Sequence, residues 1–362
     1  MIVRQGKEPP APFDLEFKNG IKHPDLYLWD AWSYAEGEDI HLYCLAVPRI
    51  KEDGSIMDPS ERNNFPFHIR HFSSNCEGKN WKDEGCFLSP NDWPENEKYY
   101  TVWSGSIEPL SDGNKLAAFT TLEKSSANHM FIQNIGLALS RNGLEIDTYV
   151  DMTLSSALRD WEQIRTSGYY LDISENIGSN NGEEGGPILA WRDPFIFVHD
   201  NESVSLFWAG KISPTKSALV RTSLVKEEDG FRINKLYPPV TVPDSNEFTQ
   251  LELPKVYYNK KADLYYLIIS TCNRLYEGQS DEEVDKSVRI YSSSSINGPW
   301  KSLGNKILTS ENLFGLTVLK TDFENDRLLC IAPYTDVADI DKRLTFSNPF
   351  YIYLGPLKVV FI

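Results

Sequence analysis

The sequence predicts an all-β protein, and two observations support this prediction. Short apolar or alternating runs recur at fairly regular spacing along the 362 residues, each bounded by residues that favour turns. Helical periodicity is almost absent between them. These features are typical of a sandwich, a barrel or a propeller. A propeller blade of four strands takes roughly 40 to 70 residues with its loops, so a chain of this length suits about five blades.

The predicted strands follow one another from residue 26 to the end of the sequence. They span residues 40–47, 68–73, 116–121, 133–140, 195–198, 203–208, 217–223, 264–270, 288–292, 315–319, 327–332 and 350–362. Residues 26–32, 99–106 and 250–258 contain framed polar residues at the heads of strands, and residues 85–88 follow a turn. One short helix is predicted near residues 154–161. Because no Pro-, Gly- or Ser-rich linker divides the sequence, we expect one domain over residues 1–362, with the Pro-rich residues 1–25 as an N-terminal arm.

The composition argues against some classes of partner. A formal net charge of −16 disfavours binding to phosphate backbones or anionic membranes. We therefore expect a soluble protein that handles a neutral substrate and binds neither nucleic acid nor membrane. Aromatic residues make up 12% of the chain, and their faces stack on the C–H faces of sugars, although they also fill β-sheet cores.

The cysteines and the N-terminal residues bear on cellular location. The five cysteines are odd in number and show no Cys-x-x-Cys spacing, so we predict neither a disulfide framework nor a zinc site. The first residues contain no apolar signal segment, and no run approaches the roughly 18 apolar residues of a membrane-spanning helix. The simplest expectation is a cytoplasmic protein without a cofactor.

Three acidic residues stand out because each is framed by Trp, Pro or Arg at the head of a predicted strand. They are Asp30 between Trp29 and Trp32, Asp193 within Trp-Arg-Asp-Pro, and Glu252 within Gln-Leu-Glu-Leu-Pro. Glycoside cleavage needs an acid that protonates the leaving oxygen and a carboxylate that attacks the anomeric carbon or activates water. A third acid can hold the sugar ring and shift the pKa values of the other two. Structural ion pairs and solvated turn acids are the alternative interpretation among 52 acidic residues.

Four motifs containing these acids occur in a fixed order along the chain: Trp29-Asp30-x-Trp32, Trp103-Ser104-Gly105-Ser106, Arg192-Asp193-Pro194 and Gln250-Leu251-Glu252-Leu253-Pro254. Shorter linking pieces are Ile135-Gly136-Leu137-Ala138, Tyr265-Tyr266-Leu267 and Gly298-Pro299-Trp300. This arrangement resembles glycoside hydrolase family 68, the levansucrase, inulosucrase and β-fructofuranosidase family. The resemblance covers residues 26–335. Arg-Asp-Pro alone is shared with related five-bladed families, whereas the ordered set of four is more specific.

The resemblance implies a five-bladed β-propeller that forms one catalytic domain and acts with retention of configuration. By this resemblance Asp30 is the nucleophile that forms a fructosyl-enzyme, Asp193 is the transition-state stabiliser, and Glu252 is the general acid/base. The residues that match sugar-binding positions are Trp29, Trp103, Ser104, Arg192, Gln250 and Tyr334. The implied partner is a small-molecule carbohydrate, a β-fructofuranoside such as sucrose or a fructan.

The sequence departs from the family pattern beside the acid/base. The family has Asp-Glu-x-Glu-Arg, whereas this chain has Thr249-Gln250-Leu251-Glu252-Leu253. A family Arg or His that contacts the glucosyl part of sucrose falls near Cys272, with Asn273 and Arg274 beside it as substitutes. Thr249 replaces an Asp that binds calcium in Gram-positive members, so we expect no structural calcium or other metal. These departures leave the donor sugar open.

Two other functions fit the same residue types. An inverting propeller glycosidase acting on arabinosides, xylosides or a related sugar also uses two Asp and one Glu. Its two catalytic carboxyl groups lie about 6.5–9.5 Å apart, against about 5–5.5 Å in a retaining pair. A propeller that binds carbohydrate without cleaving it is the third hypothesis, and the presence of all three acids argues against it.

Overall fold

The computed structural model describes residues 20–75, 77–93, 97–126, 128–179, 186–228, 230–276, 278–303, 308, 313–335, 337, 339 and 341–362. These residues contain twenty β-strands in five sheets, each of four antiparallel strands in chain order. Each sheet is one blade of a five-bladed β-propeller, which confirms the predicted fold class. Residues 1–19 of the expected N-terminal arm lie outside the described residues, so the arm stays a prediction.

The strands of the five sheets have the following bounds. The first sheet contains β1 (Leu26–Glu36), β2 (Asp39–Pro48), β3 (His68–Ser74) and β4 (Lys82–Leu88). The second contains β5 (Tyr99–Pro109), β6 (Lys115–Glu123), β7 (Ile132–Ser140) and β8 (Thr148–Ser156). The third contains β9 (Arg192–Val198), β10 (Val204–Ser213), β11 (Lys216–Glu227) and β12 (Gly230–Leu236). The fourth contains β13 (Gln250–Asn259), β14 (Leu264–Cys272), β15 (Lys286–Ser293) and β16 (Lys301–Ser302), and the fifth contains β17 (Thr317–Asp322), β18 (Arg327–Ile331), β19 (Phe350–Tyr353) and β20 (Lys358–Phe361).

The helix predicted near residues 154–161 is wrong in position. Strand β8 runs through Leu154 to Ser156, because this segment pairs with β7 and buries Leu154 in the core. A short helix, α1 (Trp161–Thr166), begins only after the chain has left the sheet. None of the helices among the described residues is long and apolar enough to cross a membrane.

The described residues form two compact units. The first and fifth sheets belong to one unit, whose core includes Leu42 and Ile331, and the other three sheets belong to the second unit. In the second unit, consecutive residues of β10 enter two different cores, because side chains alternate between the faces of a strand. Trp208 packs with Trp191 and the second sheet, whereas Phe207 packs with the fourth sheet.

The first strand of each sheet is an edge strand, and each of these five strands contains a β-bulge. The bulges lie at Asp30 in β1, Ser104 in β5, Asp193–Pro194 in β9, Leu253–Pro254 in β13 and Leu319 in β17. A bulge removes a residue from regular pairing and redirects its side chain, and it is one of the few places where a strand accepts proline. Four of the five bulges therefore fall within the motifs found in the sequence.

Candidate active site

The predicted acids lie where bulges interrupt edge strands. Asp30 and Asp193 are bulged residues, and Glu252 directly precedes a bulge. Asp30, Asp193 and Leu253 have left-handed backbone angles, with φ of 35°, 62° and 50°. Such angles cost a non-glycine residue on the order of 1–3 kcal/mol, and they concentrate at functional sites. Left-handed backbone angles thus occur in the three sequence motifs that contain the predicted acids.

In the second unit, the carboxylate of Asp193 is fixed by its neighbours. Asp193 is only 6% exposed. Its backbone N–H donates to Thr120 Oγ1 at 2.9 Å, and the backbone N–H of Leu253 donates to its Oδ2 at 3.2 Å. The guanidinium of Arg192 adds a positive charge, with Nε 3.9 Å from the same oxygen. These partners compensate the burial of a carboxylate, which is otherwise costly.

Arg192 connects Asp193 with Glu252. Its Nη2 donates to Glu252 Oε1 at 3.4 Å, while its Nη1 donates to the carbonyl of Leu189 at 2.6 Å. The Glu252 side chain keeps 23% exposure, so it is wetter than that of Asp193. One buried guanidinium therefore brings two of the predicted acids into a single cluster, in which Asp193 is held rigidly and Glu252 stays accessible.

Gln250 lies beside this cluster, between Arg192 and the end of β14. Its Oε1 accepts from Arg192 Nη2 at 3.5 Å, and its Nε2 donates to the carbonyl of Arg274 at 3.1 Å. Cys272 pairs with Gln250 across the two strands. Burial raises the pKa of the Cys272 thiol to about 12, and the charge of Glu252 adds to this effect. Cys272 is therefore a neutral neighbour of the cluster and cannot replace a cationic side chain.

The second motif reaches Asp193 through a threonine that the sequence did not single out. Ser104 is buried, and its carbonyl accepts from Thr120 Oγ1 at 3.3 Å. The same hydroxyl oxygen accepts from the N–H of Asp193. Trp103 is half-buried, with its ring centroid 6.4 Å from that of Phe131. Thr120 thus positions two of the predicted segments against each other.

In the first unit, Trp29 and Asp30 occupy consecutive positions at the bulge of β1. The Trp29 ring packs edge-on against Phe67, with centroids 4.7 Å apart, and the Arg62 guanidinium lies 5.8 Å from its centroid. Asp30 is half-buried. Burial raises the pKa of the nearby Cys44 thiol well above its ordinary value, and Asp30 is among the negative charges that contribute. The bulge therefore presents Asp30 beside a rigid aromatic ring.

A buried ion-pair network also lies in the first sheet. Arg70 donates to both carboxylate oxygens of Asp83, at 2.7 and 2.6 Å, and His23 Nε2 lies 3.1 Å from Asp83 Oδ2. Burial alone would raise the pKa of Asp83, but the hydrogen bonds from His23 and Arg70 outweigh it and hold the pKa at about 2. Asp83 therefore stays ionised and fixes the sheet that contains Asp30.

Tyr334 also belongs to the first unit and is half-buried. Its carbonyl accepts from Leu344 N–H at 2.8 Å, and the carbonyl of Leu344 accepts from Leu28 N–H at 2.8 Å. Tyr334 is thereby connected to β1 two residues before Asp30. Within this unit the structure places Trp29, Asp30 and Tyr334 on neighbouring segments, and within the second unit it brings Arg192, Asp193, Gln250 and Glu252 together.

The fold resembles that of several carbohydrate-active proteins. A levansucrase from Bacillus subtilis superposes with a TM-score of 0.66 at 16% identity, covering 98% of this chain and 90% of that one. An inulosucrase from Halalkalicoccus jeotgali bound to kestose gives 0.61 at 15% identity, covering 94% and 87%. A thermostable family-43 glycoside hydrolase gives 0.59 at 14% identity, covering 93% of each chain. No family model matches this sequence, and no curated protein matches it either. At these identities the likeness establishes a shared propeller fold.

Proposed function

We propose that this protein is a retaining glycosidase that cleaves β-fructofuranosides and passes the fructosyl group to water or to another sugar. The cluster formed by Arg192, Asp193 and Glu252 is the observation that carries the proposal. It combines a rigid buried carboxylate with an accessible one, the pairing that ring binding and proton transfer require. The ordered motifs and the shared fold support the same assignment.

Each acid has a separate role in the proposed reaction. The Asp30 carboxylate attacks the anomeric carbon, while Glu252 donates a proton to the departing oxygen, so the glycosidic bond breaks as the fructosyl ester forms. Glu252 then removes a proton from water or an acceptor hydroxyl, which attacks the same carbon and releases Asp30. Asp193 accepts hydrogen bonds from ring hydroxyls and stabilises the positive charge that develops on the sugar.

The side chains of Gln250 and Arg274, near Glu252, bear on the choice of donor. Gln250 already uses its amide on Arg192 and on the Arg274 carbonyl. The Arg274 guanidinium is engaged with Asp281 and with the carbonyl of Gln279. We therefore propose a leaving group that differs from the glucosyl part of sucrose, such as the remaining chain of a short fructan after its terminal fructosyl unit is removed.

The proposal is tested by incubating the protein with sucrose, raffinose and short fructans and identifying the released sugars. NMR of the first product should show a retained anomeric configuration. Asp30→Asn and Glu252→Gln should each lower kcat by at least about 10³-fold, since each removes a group that acts on the reacting atoms. Asp39→Asn and Glu228→Gln, which change exposed acids, are the matched controls. Normal turnover by Asp30→Asn would refute the assignment.

An inverting propeller glycosidase is a second candidate. The fold of the family-43 glycoside hydrolase matches 93% of this chain and 93% of that one. The same NMR experiment distinguishes the two, since an inverting enzyme releases the opposite anomer first. Arabinosides and xylosides should then replace fructosides as substrates. Binding of sugars without any turnover would instead favour a carbohydrate-binding propeller.

A further inference from the structure

A pocket lies in the second unit, at the opposite ends of the strands that carry Arg192 and Glu252. Its volume is about 550 Å³. Phe197 at the pocket wall lies four positions after Asp193, which corresponds to roughly 13 Å along an extended strand. The residues that matter for its chemistry are Glu108, Phe197, His199, Tyr258, Lys260 and Tyr265. The pocket is therefore distinct from the candidate active site.

Glu108 places a carboxyl group in this pocket. Ser106, two residues earlier, accepts from the N–H of Ile196 at 2.8 Å, so this face of β5 is turned toward β9. Glu108 lies on the same face and lines the pocket. Across the described part of the chain, no hydrogen bond or ion pair reaches its carboxyl group. Burial raises the pKa of Glu108 to about 8, with no charged neighbour contributing. Glu108 is thus a half-buried acid with no counter-ion among the described residues.

Aromatic rings make up much of the remaining wall. The Tyr265 ring centroid lies 5.9 Å from that of Phe197 and 4.6 Å from that of Tyr258. The faces of such rings carry partial negative charge and attract organic cations. The lysine at the pocket, Lys260, forms an exposed ion pair with Asp200 at 2.8 Å. A cation that enters the pocket therefore meets both aromatic faces and an uncompensated carboxyl group.

We propose that this pocket binds a small organic ammonium cation, with the Glu108 carboxylate as its counter-ion and the rings of Phe197 and Tyr265 in contact with its alkyl groups. Hard metal ions prefer a shell of oxygen ligands, which aromatic walls do not supply. A neutral sugar would stack on the rings but would not compensate the charge of Glu108 once it ionises, so its binding would not strengthen with pH. An alkylammonium ion satisfies both features together.

The proposal predicts a specific pH dependence. The other ionisable groups that face the pocket are His199, Asp200, Lys260, Tyr257, Tyr258 and Tyr265. Burial lowers the pKa of His199, and the hydrogen bond with Asp263 raises that of Tyr258, so both shifts favour the neutral form of the side chain. With a pKa of about 8, Glu108 is about 3% ionised at the lower pH and about 90% ionised at the higher one. The apparent affinity for the cation should therefore rise about 30-fold.

Calorimetric titration of the intact protein with choline tests the proposal, and 3,3-dimethylbutan-1-ol is the neutral molecule of the same shape. Choline should bind at pH 9 with a Kd of about 1 mM or lower, should bind about 30-fold more weakly at pH 6.5, and should bind more tightly than the alcohol at pH 9. Glu108→Gln should abolish both the pH dependence and the preference for choline. Glu202→Gln, in the neighbouring turn, removes an equal charge that does not line the pocket and should change neither.

A second variant separates binding from folding. Phe197→Leu keeps an apolar side chain but removes one aromatic face. It should therefore weaken the binding of choline more than the binding of the alcohol. Equal affinity for choline and the alcohol, unchanged choline binding by Glu108→Gln, or no choline binding at pH 9 would each overturn the proposal. The outcome is independent of glycosidase activity, because the choline measurement contains no sugar.

Discussion

Glu108→Gln should change the pH dependence of stability in a direction fixed by the pKa of Glu108. That pKa is about 8 in the folded protein against 4.5 for an ordinary glutamate, so the folded state binds the proton more tightly than the unfolded state. The stabilisation by this proton is fully present below pH 4.5 and is lost as the pH rises through 8. Each pKa unit corresponds to about 1.4 kcal/mol, so the wild-type protein should lose at most roughly 5 kcal/mol from this half-buried group by pH 9. A glutamine stays neutral and avoids that loss.

Urea unfolding followed by tryptophan fluorescence at pH 5 and pH 9 measures the effect. Other groups also titrate, so the informative quantity is the difference between wild type and Glu108→Gln at each pH. The variant should gain several kcal/mol relative to wild type at pH 9 and little at pH 5. Glu202→Gln should follow the wild-type curve. If Glu108→Gln stays within about 1 kcal/mol of wild type at both pH values, the carboxylate is well solvated and the reasoning about its burial is wrong.

Three further substitutions test the candidate site and its support. Arg192→Lys keeps the charge but cannot reach all acceptors of a planar guanidinium, so kcat/KM should fall about 10²-fold while the circular dichroism spectrum stays unchanged. Thr120→Val removes the acceptor for the Asp193 N–H and should lower unfolding free energy in urea by about 1–3 kcal/mol and also lower kcat. Thr121→Val, which loses one hydrogen bond elsewhere on β6, should leave kcat unchanged. Asp83→Asn should cost about 3–5 kcal/mol at pH 7, measured in urea, because it leaves a buried arginine unpaired. Since the pKa of Asp83 is about 2 against 3.8, wild type should lose this stabilisation only as the pH falls from about 4 to 2.

The strands that could be predicted are those that bury both faces or alternate clearly. Strands β2, β6 and β14 are apolar over most of their length, and their buried residues match the predicted segments. The last strands of three sheets, β8, β12 and β16, were not predicted, because most of their residues are polar and at least partly exposed. Their pairing comes from the neighbouring strand, which a local pattern does not reveal.

For the candidate site, the sequence revealed the acids but not the groups that hold them. Trp, Arg and Pro beside Asp193 and Glu252 make these positions unusual even before the fold is known. Thr120, by contrast, is an ordinary hydroxyl residue in a strand, and although Ser106 ends the second motif, only tertiary structure shows that each accepts a backbone N–H from β9. Glu108 was missed for a similar reason, because an acid before a proline and a turn has the pattern of a solvated strand end.

The bulges explain how five similar blades can lack a visible sequence repeat. The recurring feature is a backbone irregularity in the first strand, and the residue that occupies it differs from sheet to sheet, so no common side chain marks it. In a regular edge strand, the N–H of Leu253 would point either toward β14 or to the open side of the sheet. Its left-handed angle instead directs this N–H to Asp193, while Glu252 reaches Arg192. Pro194 and Pro254 are tolerated at these positions because a residue in a bulge does not need to donate an N–H to the neighbouring strand. The acid-and-proline pattern in the sequence therefore marks positions where the backbone is strained. That strained backbone brings two carboxylates to one guanidinium.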